Sequence, residues 1–139
     1  MFNTVTKKLL LPKGLRTLAP DEENYVGIYK GGVYERDTSY HQGITWPWLL
    51  GLYFDSFVNI VNAEKDEKKK ARLKKAYNKF IDEVEEIFEN EFYYSDCVVG
   101  SISELYDSEE PYIAKGSPAQ AWSVAEVFRI IFQGKEKLK

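Results

Sequence analysis

The chain has 139 residues, a length that fits one domain and excludes two large ones. Hydrophobic residues make up 44% of the chain and charged residues 29%, which excludes global disorder and a fibrous repeat. A net charge of −3 gives no overall attraction to nucleic acid or anionic lipid, and the longest apolar run, 46–54, is far shorter than the roughly 20 residues of a membrane span.

Helical periodicity dominates the amino-terminal half, and no segment is a convincing strand. A short, weak helix is predicted over 2–11, ended by Pro12. Residues 46–62 predict a second helix, with Thr45 as its cap and Pro47 in its first turn. Its apolar residues cover nearly the whole circumference, so we expect it to be buried on most sides.

Two further helices are predicted in the carboxy-terminal half. Residues 66–92 show an apolar stripe at helical spacing and a charged opposite face, which is typical of an outer, solvent-facing helix. Residues 118–133 are again apolar on most sides. Ser117 is the expected cap of this helix, Pro118 its first residue and Gly134 its stop signal.

The order buried helix, surface helix, buried helix predicts an all-α fold, a partial α/α toroid of about three to four helices with two long functional loops. Two concentric rings of antiparallel helices produce this alternation. A closed double ring of twelve helices needs around 300 residues, so the 139 residues, read as one segment, supply about a third of a ring.

The two long loops span residues 12–45 and 93–117, and each exceeds the roughly 12–15 residues beyond which a loop is usually functional or disordered. If successive helices alternate in direction, helices 46–62 and 118–133 run parallel. Each loop precedes one of them, so both loops lie over the amino ends of the buried helices. We therefore expect a functional site at this end.

The densest group of functional side chains lies in the first loop, over residues 36–48, RDTSYHQGITWPW. Planar donors and acceptors combined with indole rings suit carbohydrate, because hydroxyl pairs need bidentate partners and a sugar ring stacks on aromatic faces. The candidate contacts are Arg36, Asp37, Tyr40, His41, Gln42 and Trp46.

Three residues of this segment have more than one interpretation. His41 is the only histidine, which gives little support to a His-based metal site or a Ser–His–Asp triad; it is either a ligand contact or a buried imidazole bonded to a loop carbonyl. Trp46 and Trp48 point in nearly opposite directions on a helix, so one of them is expected to pack in the core. Trp46, at the helix mouth, is the better ligand candidate.

The second loop contributes Glu104, a lone carboxylate in a stretch of small uncharged residues, which either caps a turn or acts in catalysis. Asp107, Glu109 and Glu110 are expected to be solvated loop charges. Gln120 and Trp122 lie in the first turn of the helix that follows, near the proposed site. Glu126, one turn further, is expected to pair with Arg129.

Three motifs in order, residues 14–51 (GLRTLAPDEENYVGIYKGGVYERDTSYHQGITWPWLLG), GSISELYD and KGSPAQAWSVAEVFR, resemble the carboxy-terminal end of the amylo-α-1,6-glucosidase part of glycogen debranching enzymes. The resemblance covers residues 14–55 and 98–130. That family is related to glucoamylase-like enzymes with an (α/α)6 barrel, so the resemblance implies that the chain is the carboxy-terminal portion of such a barrel.

The resemblance also implies roles for individual residues. Glu104 matches the general base of an inverting glucosidase, while the family's general acid lies upstream, outside these 139 residues. No metal or cofactor is implied. The positions matching the sugar pocket are Arg36, Asp37, Tyr40, His41, Gln42, Trp46, Gln120 and Trp122.

The implied ligand is an α-glucan or branched oligosaccharide. The implied partner is the rest of the barrel or another copy of the chain, and the single cysteine fits a cytoplasmic protein. A helical glycan-binding or association module without turnover is the alternative.

Overall fold

The computed structural model describes residues 2–95 and 97–138 of the chain. Within this part there are five helices and five short strands. The helices are α1 (Phe2–Lys8), α2 (Val33–Ser39), α3 (Leu49–Ala63), α4 (Glu67–Tyr94) and α5 (Ala121–Gly134), and the strands are β1 (Leu10–Leu11), β2 (Gly14–Arg16), β3 (Thr45–Trp46), β4 (Leu105–Tyr106) and β5 (Ala114–Lys115).

The strands form one antiparallel sheet in the order β1-β2-β3-β4-β5, so the expectation of an all-α fold is wrong on this point. Strands of two or three residues are too short for alternation of apolar and polar residues to reveal them. The pairing of Thr45 in β3 with Tyr106 in β4 joins the first long loop to the second. The sheet therefore holds together the two loops that were expected to form a site.

The predicted directions of the helices are confirmed by the contacts between them. Near the amino ends of α3 and α5, the rings of Trp48 and Trp122 stack at 5.5 Å, and further along Arg129 of α5 bonds to Asp55 of α3, so these two helices run parallel. Helix α4 runs antiparallel to α5, because the Tyr77 hydroxyl donates to the carbonyl of Gly134 at the end of α5, whereas Phe92 near the end of α4 packs against Phe128, nearer the start of α5.

The predicted stripe of α4 is confirmed as its core face. Five side chains of α4 are buried against α3 and α5, and the charged side is open to water. They are Tyr77, Phe80, Ile81, Val84 and Phe88. Burial of large apolar side chains at about 1.5–3 kcal/mol each makes this three-helix contact the main source of stability.

Three helix boundaries differ from the predictions. Helix α1 ends at Lys8, because the next residues pair with β2. Helix α3 begins at Leu49, since Thr45 is part of β3 and does not cap the helix. Helix α5 begins after Gln120, because the carbonyl of Ser117 accepts from the Glu104 N–H at 2.8 Å and this keeps the preceding residues extended.

Helices α3 and α5 are buried on one side rather than on most sides. Phe54 and Val61 of α3 are fully buried, but Leu52 on the other side of the same helix is 58% exposed. On α5, Ile130 is fully buried and Phe132 is 71% exposed. None of the helices in the described residues is long and apolar enough to cross a membrane.

An arginine cluster fixes the contact between α3 and α5. Arg129 donates to Asp55 at 2.9 Å and to Glu126 at 2.7 Å, which confirms the expected pair with Glu126. The hydrogen bond from Arg129 holds the pKa of Asp55 below its ordinary value of 3.8. An acid with a lowered folded pKa stabilises the fold above its unfolded pKa and loses this contribution as pH falls through the folded value.

We expect Arg129→Met to lower the free energy of unfolding at pH 7 by about 1 kcal/mol, a value already reduced for the exposure of the pair. The difference from the wild type should shrink as pH falls below about 3.8 and disappear below the lowered folded pKa of Asp55, where this group is protonated in both variants. Urea unfolding at several pH values measures it. Lys79→Met, which removes an exposed pair with Glu83, is the control, and an equal loss in both variants would contradict the assignment.

Candidate active site

Glu104 lies directly before β4, and three donors from three parts of the chain converge on its half-buried carboxylate. The Tyr40 hydroxyl donates to Oε1 from the first loop, and the Gln120 amide approaches the same oxygen at 3.4 Å from the start of α5. The backbone N–H of Ser117 donates to Oε2 at 2.9 Å. The structure thus brings together Glu104, Tyr40 and Gln120 as the sequence predicted.

A glycine makes the backbone contact possible. Gly116 follows β5 and has a φ of +68°, a conformation that side chains disfavour, and this turn aims the Ser117 N–H at Glu104. A Cβ on Gly116 would lie 3.1 Å from the Glu104 Cβ and would overlap with its Oε2. The sequence carries only a weak signal for this donor, since a backbone N–H has no residue type of its own.

Tyr40 is held in its protonated, donating form. Burial raises the pKa of the Tyr40 hydroxyl well above its ordinary value, and the hydrogen bond to Glu104 raises it further, because both disfavour a phenolate. At neutral pH, Tyr40 therefore donates to Glu104 and does not compete with it as an acceptor.

An aromatic cluster supports Tyr40 from behind. The ring of Trp46 lies 4.7 Å from that of Tyr40 and 5.2 Å from that of His41, and the Trp46 indole donates to the Tyr40 carbonyl at 3.2 Å. Trp46 belongs to β3 and is only 2% exposed, so its expected place at a helix mouth is wrong. His41 is exposed and stacked, which contradicts the alternative of a buried imidazole.

The open indole at this end of the molecule is Trp122, at the start of α5. Trp122 is 47% exposed, stacks on Trp48 at 5.5 Å and meets Trp46 edge-on at 6.1 Å. Both neighbours fix the ring in place while one side stays accessible. A fixed, accessible indole two residues after Gln120, which contacts Glu104, offers a face on which a sugar ring can stack.

The remaining predicted contacts lie at the margin of the site. Arg36 and Asp37 are exposed on α2, and Arg36 donates to the carbonyl of Gly31 at 3.4 Å. Gln42 is exposed between α2 and β3. Among the hydrogen bonds of the described residues, none joins these three side chains to Glu104.

Asp107 is 3% exposed, so the prediction that it is a solvated loop charge is wrong. It accepts from the Tyr29 N–H at 2.8 Å and lies 3.9 Å from the Lys115 ammonium. Only the position of Asp107 directly after the buried β4 pointed to burial. Glu109 and Glu110, on the same loop, are exposed as expected.

Comparison with known proteins agrees with these motifs. The sequence profile of the family described as amylo-alpha-1,6-glucosidase matches residues 1–129 of the chain. The chain belongs to this family. A glycogen debranching enzyme from Saccharomyces cerevisiae is 29% identical over 128 residues, which cover 82% of the chain and 8% of that enzyme. The chain thus spans a small fraction of that relative's length.

Proposed function

We propose that the chain forms part of the catalytic domain of an inverting amylo-α-1,6-glucosidase, which hydrolyses α-1,6-linked glucose at glycogen branch points. Glu104 is the general base in this proposal. The observation that carries it is the convergence of three donors, from Tyr40, Ser117 and Gln120, on one half-buried carboxylate. The accessible indole of Trp122 follows Gln120 by two residues. Family membership supplies the substrate class.

The contacts of Glu104 indicate which oxygen acts on water. A carboxylate oxygen has about two lone pairs, and both of those on Oε1 are engaged, by Tyr40 and Gln120. Oε2 accepts from the Ser117 N–H and has one position free. Oε2 therefore takes a proton from the attacking water, while the oxygen of this water forms the bond to the anomeric carbon.

The leaving oxygen needs a proton at the same time. An inverting glycosidase places a second carboxyl group about 6.5–9.5 Å from the base for this purpose. In our proposal this acid comes from a further segment of the barrel, which packs on this chain. No metal or organic cofactor takes part in a two-carboxylate mechanism.

In this proposal an aromatic residue stacks on the glucan, and polar residues bind its hydroxyl groups. The accessible face of Trp122 stacks on a sugar ring, and buried Trp46 fixes Tyr40 and His41 from behind. His41 and Gln120 bind hydroxyls of the reacting glucose. The exposed residues Arg36, Asp37 and Gln42 bind hydroxyls of the neighbouring glucan units.

We expect the pure 139-residue chain to show no glucosidase activity attributable to Glu104. Without a group to protonate the leaving oxygen, roughly 10²–10⁴-fold of acid catalysis is lost. Glucose release from branched dextrin is measured with the chain alone and with the upstream barrel segment added. Strong activity of the pure chain that Glu104→Gln abolishes would contradict the proposed division of the two carboxylates.

The exposed apolar side chains favour a second candidate, a helical glycan-binding or association module without turnover. Leu52 and Phe132 are more than half exposed, and large apolar patches usually mark contact surfaces. Such a module would bind the rest of a barrel or another copy of the chain. Native mass measurement detects either complex, and glucan binding without any turnover by the complex would favour this candidate.

A further inference from the structure

Asp107 is a buried carboxylate outside the direct contacts of Glu104. Only 3% of the residue is exposed, and burial of a charge is costly unless the charge is paired and hydrogen-bonded. Two partners meet its side chain: the Tyr29 N–H donates to Oδ1 at 2.8 Å, and the Lys115 ammonium lies 3.9 Å from Oδ2. Each partner belongs to a different segment of the chain.

The segments that carry Tyr29 and Lys115 also contact or contain residues that donate hydrogen bonds to Glu104. The ring of Tyr29 packs against that of Tyr40 at 5.8 Å, and Tyr40 donates to Oε1 of Glu104. Lys115 is the last residue of β5 and precedes Ser117 by two residues, so a displacement of Lys115 would move the Ser117 N–H through the turn at Gly116. One buried carboxylate therefore connects the two sides that hold Glu104.

Backbone hydrogen bonds fix Asp107 itself. Its N–H donates to the carbonyl of Ile113 at 2.9 Å, and the N–H of Ser108 donates to the carbonyl of Gly27 at 2.7 Å. The 27–29 segment and β5 are thus anchored on either side of residues 107–108. This leaves the Asp107 carboxylate little freedom to move away from its two partners.

We propose that Asp107 is a positioning residue, which holds Tyr29 and Lys115 and through them aligns the Tyr40 hydroxyl and the Ser117 N–H on Glu104. The proposal rests on the proposed role of Glu104 for its functional meaning. The contact of Asp107 with Tyr29 is the stronger of the two, because it is a short hydrogen bond to a charged acceptor. The ion pair with Lys115 is weaker, since its atoms are 3.9 Å apart and Lys115 is 31% exposed.

The test is the amide proton chemical shift of Ser117, recorded by NMR on the 139-residue chain. A hydrogen bond to a carboxylate moves this proton downfield, and Glu104→Ala gives the reference value for its loss. We expect Asp107→Ala to move the Ser117 signal most of the way to that reference, although Asp107 does not contact Ser117. Glu109→Gln, which removes an exposed carboxylate from the same loop, should leave it unchanged.

Two variants keep the proposal testable if Asp107→Ala does not fold. Asp107→Asn keeps an acceptor for the Tyr29 N–H but loses the attraction to Lys115, and Lys115→Met removes the same attraction from the other side. Both should shift the Ser117 signal part of the way. Amide exchange of Tyr77 and Ile81, in the core of α4, reports global stability and should stay unchanged in both.

An unmoved Ser117 signal in all the Asp107 and Lys115 variants that fold would overturn the proposal. So would a shift that appears only together with faster exchange throughout α4, since this would indicate a merely structural role. The measurement reports geometry around Glu104 and not turnover, so its outcome is independent of whether Glu104 is the general base.

Discussion

Glu104→Gln is expected to lower kcat on branched dextrin by roughly 10²–10⁴-fold in the assembled glucosidase, meaning this chain together with the barrel segment that carries the general acid. The amide cannot take a proton from water, but its oxygen still accepts from Tyr40. We expect KM to change little, because the size of the side chain and the aromatic contacts are kept. Steady-state kinetics on branched dextrin measure both constants.

Glu109→Gln is the matched control for this change. Glu109 lies on the loop between β4 and β5, is exposed and accepts a hydrogen bond from Tyr25 at 2.8 Å. Its substitution removes the same charge without touching Glu104, so kcat should stay within about twofold of the wild type. Equal losses in the two variants would show that Glu104 acts only through the local charge.

Gly116→Ala is expected to reduce kcat about as strongly as the loss of Glu104 itself. The new methyl group would overlap with Glu104 Oε2, so the carboxylate must leave the donor at Ser117. A misplaced base loses most of its contribution, since catalysis depends on the position of the reacting atoms to within about 1 Å. Steady-state kinetics and thermal unfolding of the same preparation separate the two effects.

Gly100→Ala offers a control for backbone strain alone. Gly100 has a φ of +83°, similar in sign to the +68° of Gly116, but a Cβ there meets nothing within 4 Å. Both variants should lose about 1 kcal/mol of stability from the unfavourable conformation. Only Gly116→Ala should lose activity, and a similar loss in Gly100→Ala would show that strain and not overlap is the cause.

The sequence predicts the helices and the position of the candidate site because both depend on features that extend over many residues. The stripe of α4 extends from Leu73 to Phe88, about four turns, and Tyr77, Ile81 and Phe88 lie on it as expected. Long loops before two parallel helices must lie at one end, and the contact of Tyr40 with Glu104 confirms this.

The features that the sequence did not predict depend on pairing between distant residues. Strand β3 has two residues and is held between two distant strands: Trp46 pairs with Leu15 of β2, and Thr45 pairs with Tyr106 of β4, sixty-one positions along the chain. This pairing draws Trp46 out of the predicted helix and buries it. From the sequence, Asp107 is predicted to be a loop charge, because its contact with Tyr29 exists only in the folded chain.

Adding azide to the Glu104→Ala variant of the assembled glucosidase tests whether Glu104 activates the attacking water. Azide attacks the anomeric carbon without giving up a proton, so it needs no base and enters the space that the carboxylate leaves. We expect restored turnover with β-glucosyl azide as the product, because attack occurs opposite the leaving oxygen. No rescue at azide concentrations that the wild type tolerates, or an α-glucosyl azide product, would show that Glu104 is not the general base.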